Sequence, residues 1–443
     1  MLAAVSDAPV AAPYPPGPRS RPRTTIRFAR DPYATFSDSA QRYGDPFTLP
    51  LLGTKVVITG QAELVRAMYA LSPGQVGGLL GHLIGEILGP GSVLVRHGDA
   101  HTRDRKLLMP VFHRERVAAH ASVMADVTRS EMARHAPGDR VTGYEIGRAV
   151  ALGVILRAVF GVEDEQRLER FREAVLNFVE AGSPALIFLP VLRRDFGGHG
   201  PWAKAQRRMA ELDALFYEQI GLRRQSGEGD DILGLLIDAR YEDGRALTDG
   251  ELRDQLMSFV LAGHETMAVT FAWALYWILS SPSIRARLEE ELAGRGEDVG
   301  DLPYLETVCR ETLRIYPIQP VVMRHLLEPT EFAGYDLPAG AFVGAAATLV
   351  HMNPELYPHP ERFDPDRFAD GGRPLGEFFP FGGGARRCLG AAFAMQELKT
   401  VLAVLVGEYH LQLVDRATPK PARRSTVTGP EGDVPLIYDG VRT

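Results

Sequence analysis

Pro380-Phe381-Gly382-Gly383-Gly384-Ala385-Arg386-Arg387-Cys388-Leu389-Gly390 is a glycine-rich loop that closes on a cysteine preceded by two arginines. Consecutive glycines open backbone angles closed to other residues and let the main chain approach a flat ligand. Directly after the cysteine, Gly390-Ala391-Ala392-Phe393-Ala394-Met395 begins a run whose apolar spacing predicts a helix through about Leu405. Cys388 therefore stands where a loop meets a helix N-terminus, and there unpaired N–H groups and the positive end of the macrodipole favour an anion. Arg386 and Arg387 add positive charge, so a stable thiolate is expected. Such a thiolate is a nucleophile or a metal ligand.

A nucleophilic cysteine needs a neighbouring base, and the local stretch holds no histidine. A structural zinc site needs four Cys or His ligands, whereas the chain has only Cys309 and Cys388 as cysteines. An axial thiolate under a haem iron needs one cysteine, a close glycine-rich backbone and an arginine for a propionate. The loop offers all three.

Phe381, Gly384, Arg386, Cys388 and Gly390 match the haem-binding signature of the cytochrome P450 family, and further matching motifs run from His101 onward, so the chain resembles that family over nearly its whole length. The resemblance implies one domain spanning residues 1–443, with a Pro-rich N-terminal segment at 1–25. It implies a mainly α fold with small sheets, a triangular helical prism holding the haem between a long central helix and the cysteine loop. The cofactor is haem b, its iron held by Cys388, whose thiolate pushes electron density that favours O–O cleavage. Phe381, Gly382 and Gly390 complete the cofactor loop.

Composition is compatible. Apolar residues make up 45% and charged ones 24%, ordinary for a soluble protein with a large core. A net charge of -7 argues against general nucleic-acid binding. Two cysteines far apart form no disulfide framework, so a reducing cytoplasm is expected. Met1-Leu2-Ala3-Ala4-Val5 is too short for an anchor. Tyr14-Pro15-Pro16-Gly17-Pro18-Arg19 reads as stiff surface chain. Met257 to Leu279 is apolar and long enough to span a bilayer, but His264, Glu265 and Thr266 interrupt it, so a core helix is the better reading.

Along the chain, helices are expected at Asp31–Tyr43 and Gln61–Leu71, with a hairpin between them, Phe47–Leu52 and Lys55–Thr59 flanking Gly53-Thr54. Ser72–Gly91 mixes glycine with aliphatics and reads equally as a mobile loop over the pocket or a frayed amphipathic helix. Gly98 to Arg105 opens a helix on which His101 and Arg105, four apart, share a face; the resemblance puts both on a haem propionate. Asp126 to about Arg224 is repeatedly helical, broken by an apolar loop at Ala181–Pro190 that the family uses as a lid. Phe332–Thr348 fits short strands, and Val427–Tyr438 a terminal hairpin around Gly429-Pro430-Glu431-Gly432.

Thr248-Asp249-Gly250-Glu251 is a capping box and Pro282 a stop, bracketing about thirty helical residues. Mid-helix stands Ala262-Gly263-His264-Glu265-Thr266. Small Ala262 and Gly263 let a bulky ligand lie against the helix. A threonine bonded back to the i−4 carbonyl can bend a helix and make room for water. An acid followed by a threonine could deliver protons to bound dioxygen. The motif matches the family's, with Glu265 as the acid, Thr266 as the alcohol and His264 at the variable position, not a ligand. Glu311 and Arg314 form the family's ExxR pair on a helix over Tyr304–Tyr316, joined by Arg367; their role is structural. Arg324, after the apolar Ile318–Met323, joins Arg386, His101 and Arg105 on the propionates by resemblance.

The activity so implied is insertion of one oxygen atom of O2 into a C–H bond of a hydrophobic substrate, fatty acid, terpenoid or similar. The pocket lining is expected from Leu79, Leu80, Ile84, Phe188, Ala262, Ile318, Val321 and Val322. No GxGxxG follows a strand, so electrons come from a separate ferredoxin or flavodoxin with its reductase, docked on Arg387, Arg103, Lys106, Arg114 and Arg116. A monomer without membrane attachment is expected. The rivals are a peroxide-driven peroxygenase, which has no use for Glu265 and Thr266, a non-catalytic haem-thiolate sensor, which needs an output module, and a cysteine hydrolase.

Overall fold

The structure is a computed structural model that describes residues 14–51, 53–182, 186, 192–194, 197–227, 229–293, 302–424 and 426–442. The helices that frame the site are α1 (Leu79–Leu88), α2 (Gly98–Leu108), α3 (Ala121–Met132), α4 (Gly143–Val154), α5 (Glu165–Ala181), α6 (Pro201–Ser226), α7 (Asp249–Ser280), α8 (Pro303–Ile315) and α9 (Ala391–Glu408). One mixed sheet is built of β1 (Phe47–Leu51), β2 (Thr54–Thr59), β3 (Val76–Gly78), β4 (Val322–Leu326) and β5 (Phe342–Ala345).

At 32 residues α7 is the longest helix among those described, and its start is chemically fixed. The Thr248 hydroxyl accepts the Glu251 N–H at 3.2 Å, and the Glu251 carboxylate accepts the Thr248 N–H at 3.0 Å. Such a cap stabilises by about 1 kcal/mol. Nearly all of α7 is buried because α4 lies flat against it: a Cβ on Gly147 would come within 2.9 Å of the Ala268 carbonyl, so only glycine permits that approach. The main core runs through α3, α4, α5, α6, α7 and α9. No single described helix is long and apolar enough to cross a membrane; α7 and the following Pro282–Leu292 would together pass by length and composition, but they meet at 104°.

The sheet has strand order β1-β2-β5-β4-β3. The expected hairpin is present with Phe47 opposite Ile58 and Leu51 opposite Thr54. β2 pairs β5 in parallel, and the other neighbours are antiparallel. The proline-rich segment is less superficial than its sequence suggests. Pro15 is buried, and the Pro15 and Pro16 carbonyls accept the Thr48 hydroxyl and N–H at 2.8 and 2.9 Å, pinning the segment to β1.

Two other expectations resolve differently. Ser72–Gly91 takes the helical alternative, a short strand followed by α1, with a non-helical break at Ile84 (φ −131°, ψ 23°). The expected Val427–Tyr438 hairpin is a correction: Val427–Pro430 folds back on Pro421–Arg424, while Pro435–Val441 pairs with Tyr409–Leu413 and Arg140–Thr142. The reason is anchorage, since the Thr428 N–H bonds the Ile318 carbonyl at 2.9 Å and Gly429 packs on Val269.

Candidate active site

The cysteine loop is shaped by its own backbone. The Gly382 N–H bonds the Phe379 carbonyl and the Cys388 N–H the Phe381 carbonyl, both at 2.9 Å, closing the loop in two successive, overlapping turns. Gly382 and Gly384 take φ +65° and +64°, the left-handed region that favours glycine. A Cβ on Gly384 would lie 2.0 Å from the Tyr69 carbonyl, and one on Gly383 2.7 Å from the Tyr69 ring. The room expected to admit a ligand is thus taken at these two positions by Tyr69. Cys388 is exposed, yet protein surrounds it closely enough that burial pushes its thiol up. A side chain can be both only on the wall of an interior space. The Gly390 N–H, Arg105 and Arg387 pull the thiol back toward ionisation.

Beside the loop lie three arginines and a neutral histidine. Arg324 on β4 and His101 on α2 are buried, and Arg105 and Arg386 half-buried. Among the described residues no carboxylate pairs with Arg105, Arg324 or Arg386. Arg386 instead donates to the Arg96 carbonyl at 2.5 Å and to His97 Nδ1 at 2.9 Å, and Arg324 to the Met323 and Gly383 carbonyls at 3.0 and 3.3 Å. Burial, then Arg324 and Arg105, bring Arg386 down to about 10. Burial, then Arg386 and Arg105, bring His101 down to about 3. Among the described residues the buried Arg386 Nε and the Tyr69 hydroxyl have no hydrogen-bond partner. Stacking so much like charge is unfavourable unless a dianion completes the set.

On the central helix, Ala262 is exposed although α7 is buried on both sides of it, so interior space borders this turn as well. The Thr266 hydroxyl donates to the Ala262 carbonyl at 2.7 Å. α7 nevertheless runs unbroken through it. Gly263 does not serve the space that Ala262 borders: a Cβ there would meet Ile155 at 2.9 Å, so this glycine admits a neighbouring helix, which corrects the expectation of a ligand against it. Glu265 turns to α4, its Oε2 accepting the Tyr144 hydroxyl at 2.8 Å.

An exposed thiol in the interior, arginines that no carboxylate among the described residues pairs, and an open helix turn suit an iron porphyrin with two propionates, and the comparisons agree. The family model described as cytochrome P450 matches residues 15–434. The chain belongs to the cytochrome P450 family. It is 34% identical over 424 residues to cytochrome P450 135B1 of Mycobacterium tuberculosis, covering 94% of this chain and 89% of that relative. Cytochrome P450 137 of the same organism is 34% identical over 403 residues, covering 88% and 82%. The retinoic-acid-bound cyanobacterial CYP120A1 superposes with a TM-score of 0.83 at 25% identity, covering 96% of this chain and 99% of that one. The haem domain of cytochrome P450DA, at 22% identity, covers 97% and 98% with a TM-score of 0.82, a likeness of fold. The chain is therefore a haem-thiolate monooxygenase using protoporphyrin IX iron, O2, a small-molecule substrate and redox partners.

In this P450 the Glu311–Arg314 pair is completely buried. Arg314 grips the carboxylate with two N–H groups at 2.6 and 2.7 Å and donates to the His351 and Pro360 carbonyls at 2.7 and 2.8 Å. Arg367 Nε is 3.5 Å from Glu311 Oε1, and the Asp364 N–H bonds the same oxygen at 2.9 Å. The structure thus brings all three together.

His351 ties this network to the haem loop, since its Nε2 accepts the Phe379 N–H at 3.3 Å. Burial, then Arg314, push it down to about 3. Its folded value is below its unfolded value of about 6.5, so the unfolded chain binds more protons between the two and stability falls as pH drops through that window. Buried Glu397, raised well above the carboxylate range, has the opposite slope above about 4.5. The difference between wild type and His351→Gln isolates the histidine: in urea unfolding from pH 7 to pH 4 the wild type should lose a few kcal/mol more than the variant. Parallel curves would remove His351 from the account.

The expected pocket list is split. Ile84 is buried in the main core, and Ile318 packs at its edge. Val322 packs with Val65, Tyr69 and Phe379, whereas Val321 packs with Phe36, Phe47 and Ile58 on the other side of the sheet, as strand alternation requires. Phe188 lies outside the described residues, as do the side chains of Leu79 and Leu80. Three residues were not singled out from sequence: Tyr69, His97 and Tyr144. His97 had a signal, because His97, His101 and Arg105 repeat at four-residue spacing.

Proposed function

We propose that this P450 hydroxylates C–H bonds of a hydrophobic substrate, a fatty acid, terpenoid or similar molecule, with electrons from a separate ferredoxin or flavodoxin and its reductase, as a cytoplasmic monomer. The observation that carries the reading is the open turn of α7, where exposed Ala262 adjoins the Glu265-Thr266 pair inside an otherwise buried helix. Ile84, Ile318 and Val322, from the expected lining, are aliphatic and carry no charge. Retinoic acid in the related cyanobacterial structure, an isoprenoid carrying a carboxylate, supports the same substrate chemistry.

Haem, when bound, supplies the redox chemistry of dioxygen activation. In this reading Cys388 holds the iron, and His101, Arg105, Arg324 and Arg386 neutralise the propionates. The Thr266 hydroxyl, on leaving the Ala262 carbonyl, orients a water. Glu265 supplies protons through that water. Exposed Arg114, Arg116 and Arg387 form the surface an acidic donor would meet. Lys106 and Arg103 are already engaged, the first with Glu242 and the second over the Tyr241 ring at 4.7 Å.

The test is a spectral-shift screen over fatty acids, terpenes and steroids, followed by turnover of the best binder. NAD(P)H with ferredoxin and its reductase should outpace peroxide alone. In Thr266→Ala, product per electron should drop by roughly 100-fold, the lower end of what general acid catalysis contributes, with haem uptake unchanged. Equal turnover with peroxide would replace this reading with a peroxygenase, and unchanged coupling in the variant would show that proton delivery runs another way.

A further inference from the structure

Glu265 and Thr266 are adjacent on α7, and adjacent helical residues do not face each other. Among the described residues they share no hydrogen bond. The carboxylate is 15% exposed, and its environment is unusual for a buried acid. No arginine or lysine lies in ion-pair range of it among the described residues. His264 Nε2 is 3.9 Å from Glu265 Oε2, beyond hydrogen-bond reach. His264 Nδ1 lies 2.9 Å from the Val260 carbonyl, and a carbonyl only accepts, so Nδ1 carries the ring proton and Nε2 presents a buried lone pair that has no partner among the described residues. Burial keeps that imidazole neutral, so it offers Glu265 nothing. What remains is the Tyr144 hydroxyl, donating at 2.8 Å.

Tyr144 is itself held. The Arg424 and Arg148 guanidiniums lie 4.2 and 5.7 Å from its ring centroid, and Arg424 is paired with Asp433. Burial and Glu265 push the phenol up to about 12, so it stays a donor throughout the working range. Arg148, one turn on from Tyr144, also borders a surface cavity of about 450 Å³.

Building on the monooxygenase reading, we propose that Tyr144 is a positioning residue for Glu265: its phenol holds the carboxylate turned to α4, and Glu265 serves Thr266 only when that hydrogen bond is exchanged for one to water. The phenol suits this work better than a guanidinium clamp would. A single neutral donor is exchanged for water more readily than a bidentate charged pair.

Tyr144→Phe removes one oxygen and keeps the ring. In the reduced carbon monoxide complex the C–O infrared stretch reports polar groups beside the gas. Phe at 144 should shift that band, and Tyr144→Phe combined with Glu265→Gln should give the band of Glu265→Gln alone. If the Tyr144→Phe variant fails to take up haem, 3-fluorotyrosine at 144, a stronger donor, should shift the band the opposite way. A band that coincides with wild type would overturn the proposal. The infrared measurement uses neither substrate nor redox partner, so its failure is distinct from failure of the monooxygenase reading.

Discussion

Cys388→Ser is expected to abolish the thiolate signature in the spectrum of the reduced carbon monoxide complex and to lower turnover by more than about 100-fold, beyond the roughly 10–100-fold that changes to groups around a metal ligand cost. An alcohol does not ionise under the influence that ionises a thiol. The Gly390 N–H, Arg105 and Arg387 supply that influence here, and burial opposes it. Metal coordination tips the balance, because a coordinating thiol is deprotonated outright. The second cysteine cannot take over: Cys309 is fully buried on α8, where burial pushes its thiol far up and Lys399 and Arg310 only partly pull it back. Cys309→Ser is therefore the control and should leave the spectrum unchanged. A thiolate signature retained in Cys388→Ser, or lost in Cys309→Ser, would show the ligand to be wrongly assigned.

The residues legible in the sequence are those whose chemistry is local. A capping box, a proline stop and apolar spacing between them define α7 without reference to anything distant, and the helix runs from Asp249 to Ser280. The cysteine loop is legible for the same reason: glycines, arginines and a helix N-terminus within eleven residues specify an anion site. What escaped depends on packing between segments far apart in sequence. Tyr144 meets Glu265 across 121 positions, and nothing in either segment announces the other. The glycines at 383 and 384 read as space for a ligand until Tyr69 is seen to fill it. Val321 and Val322 are equally apolar in sequence, and only the sheet register separates them. His264 shows the reverse case: its bond to the Val260 carbonyl spans one helical turn, yet its consequence, a lone pair facing Glu265, appears only with the rotamer.

Glu311→Ala should cost about 3–5 kcal/mol, the penalty for stranding a buried charge, and the protein should no longer retain haem at 37 °C. Arg314 has no exposed surface and Arg367 very little, so two guanidiniums would lose their common carboxylate together. Burial pushes the Glu311 carboxyl up, and Arg314, the Asp364 N–H and Arg367 pull it back; the charge is kept by its partners. Arg314→Lys should fail almost as badly, because one ammonium cannot reproduce two bonds to the carboxylate and separate bonds to the His351 and Pro360 carbonyls. The informative variant is the double replacement Glu311→Leu with Arg314→Leu. Where a buried pair satisfies only itself, apolar replacement is often neutral or stabilising. Here the carbonyls of His351 and Pro360 would be left without donors, so the double variant should remain destabilised by at least about 2 kcal/mol. Urea unfolding of the three variants decides it. Recovery of wild-type stability in the double variant would mean the pair serves only itself and does not hold the wall beneath the cysteine loop.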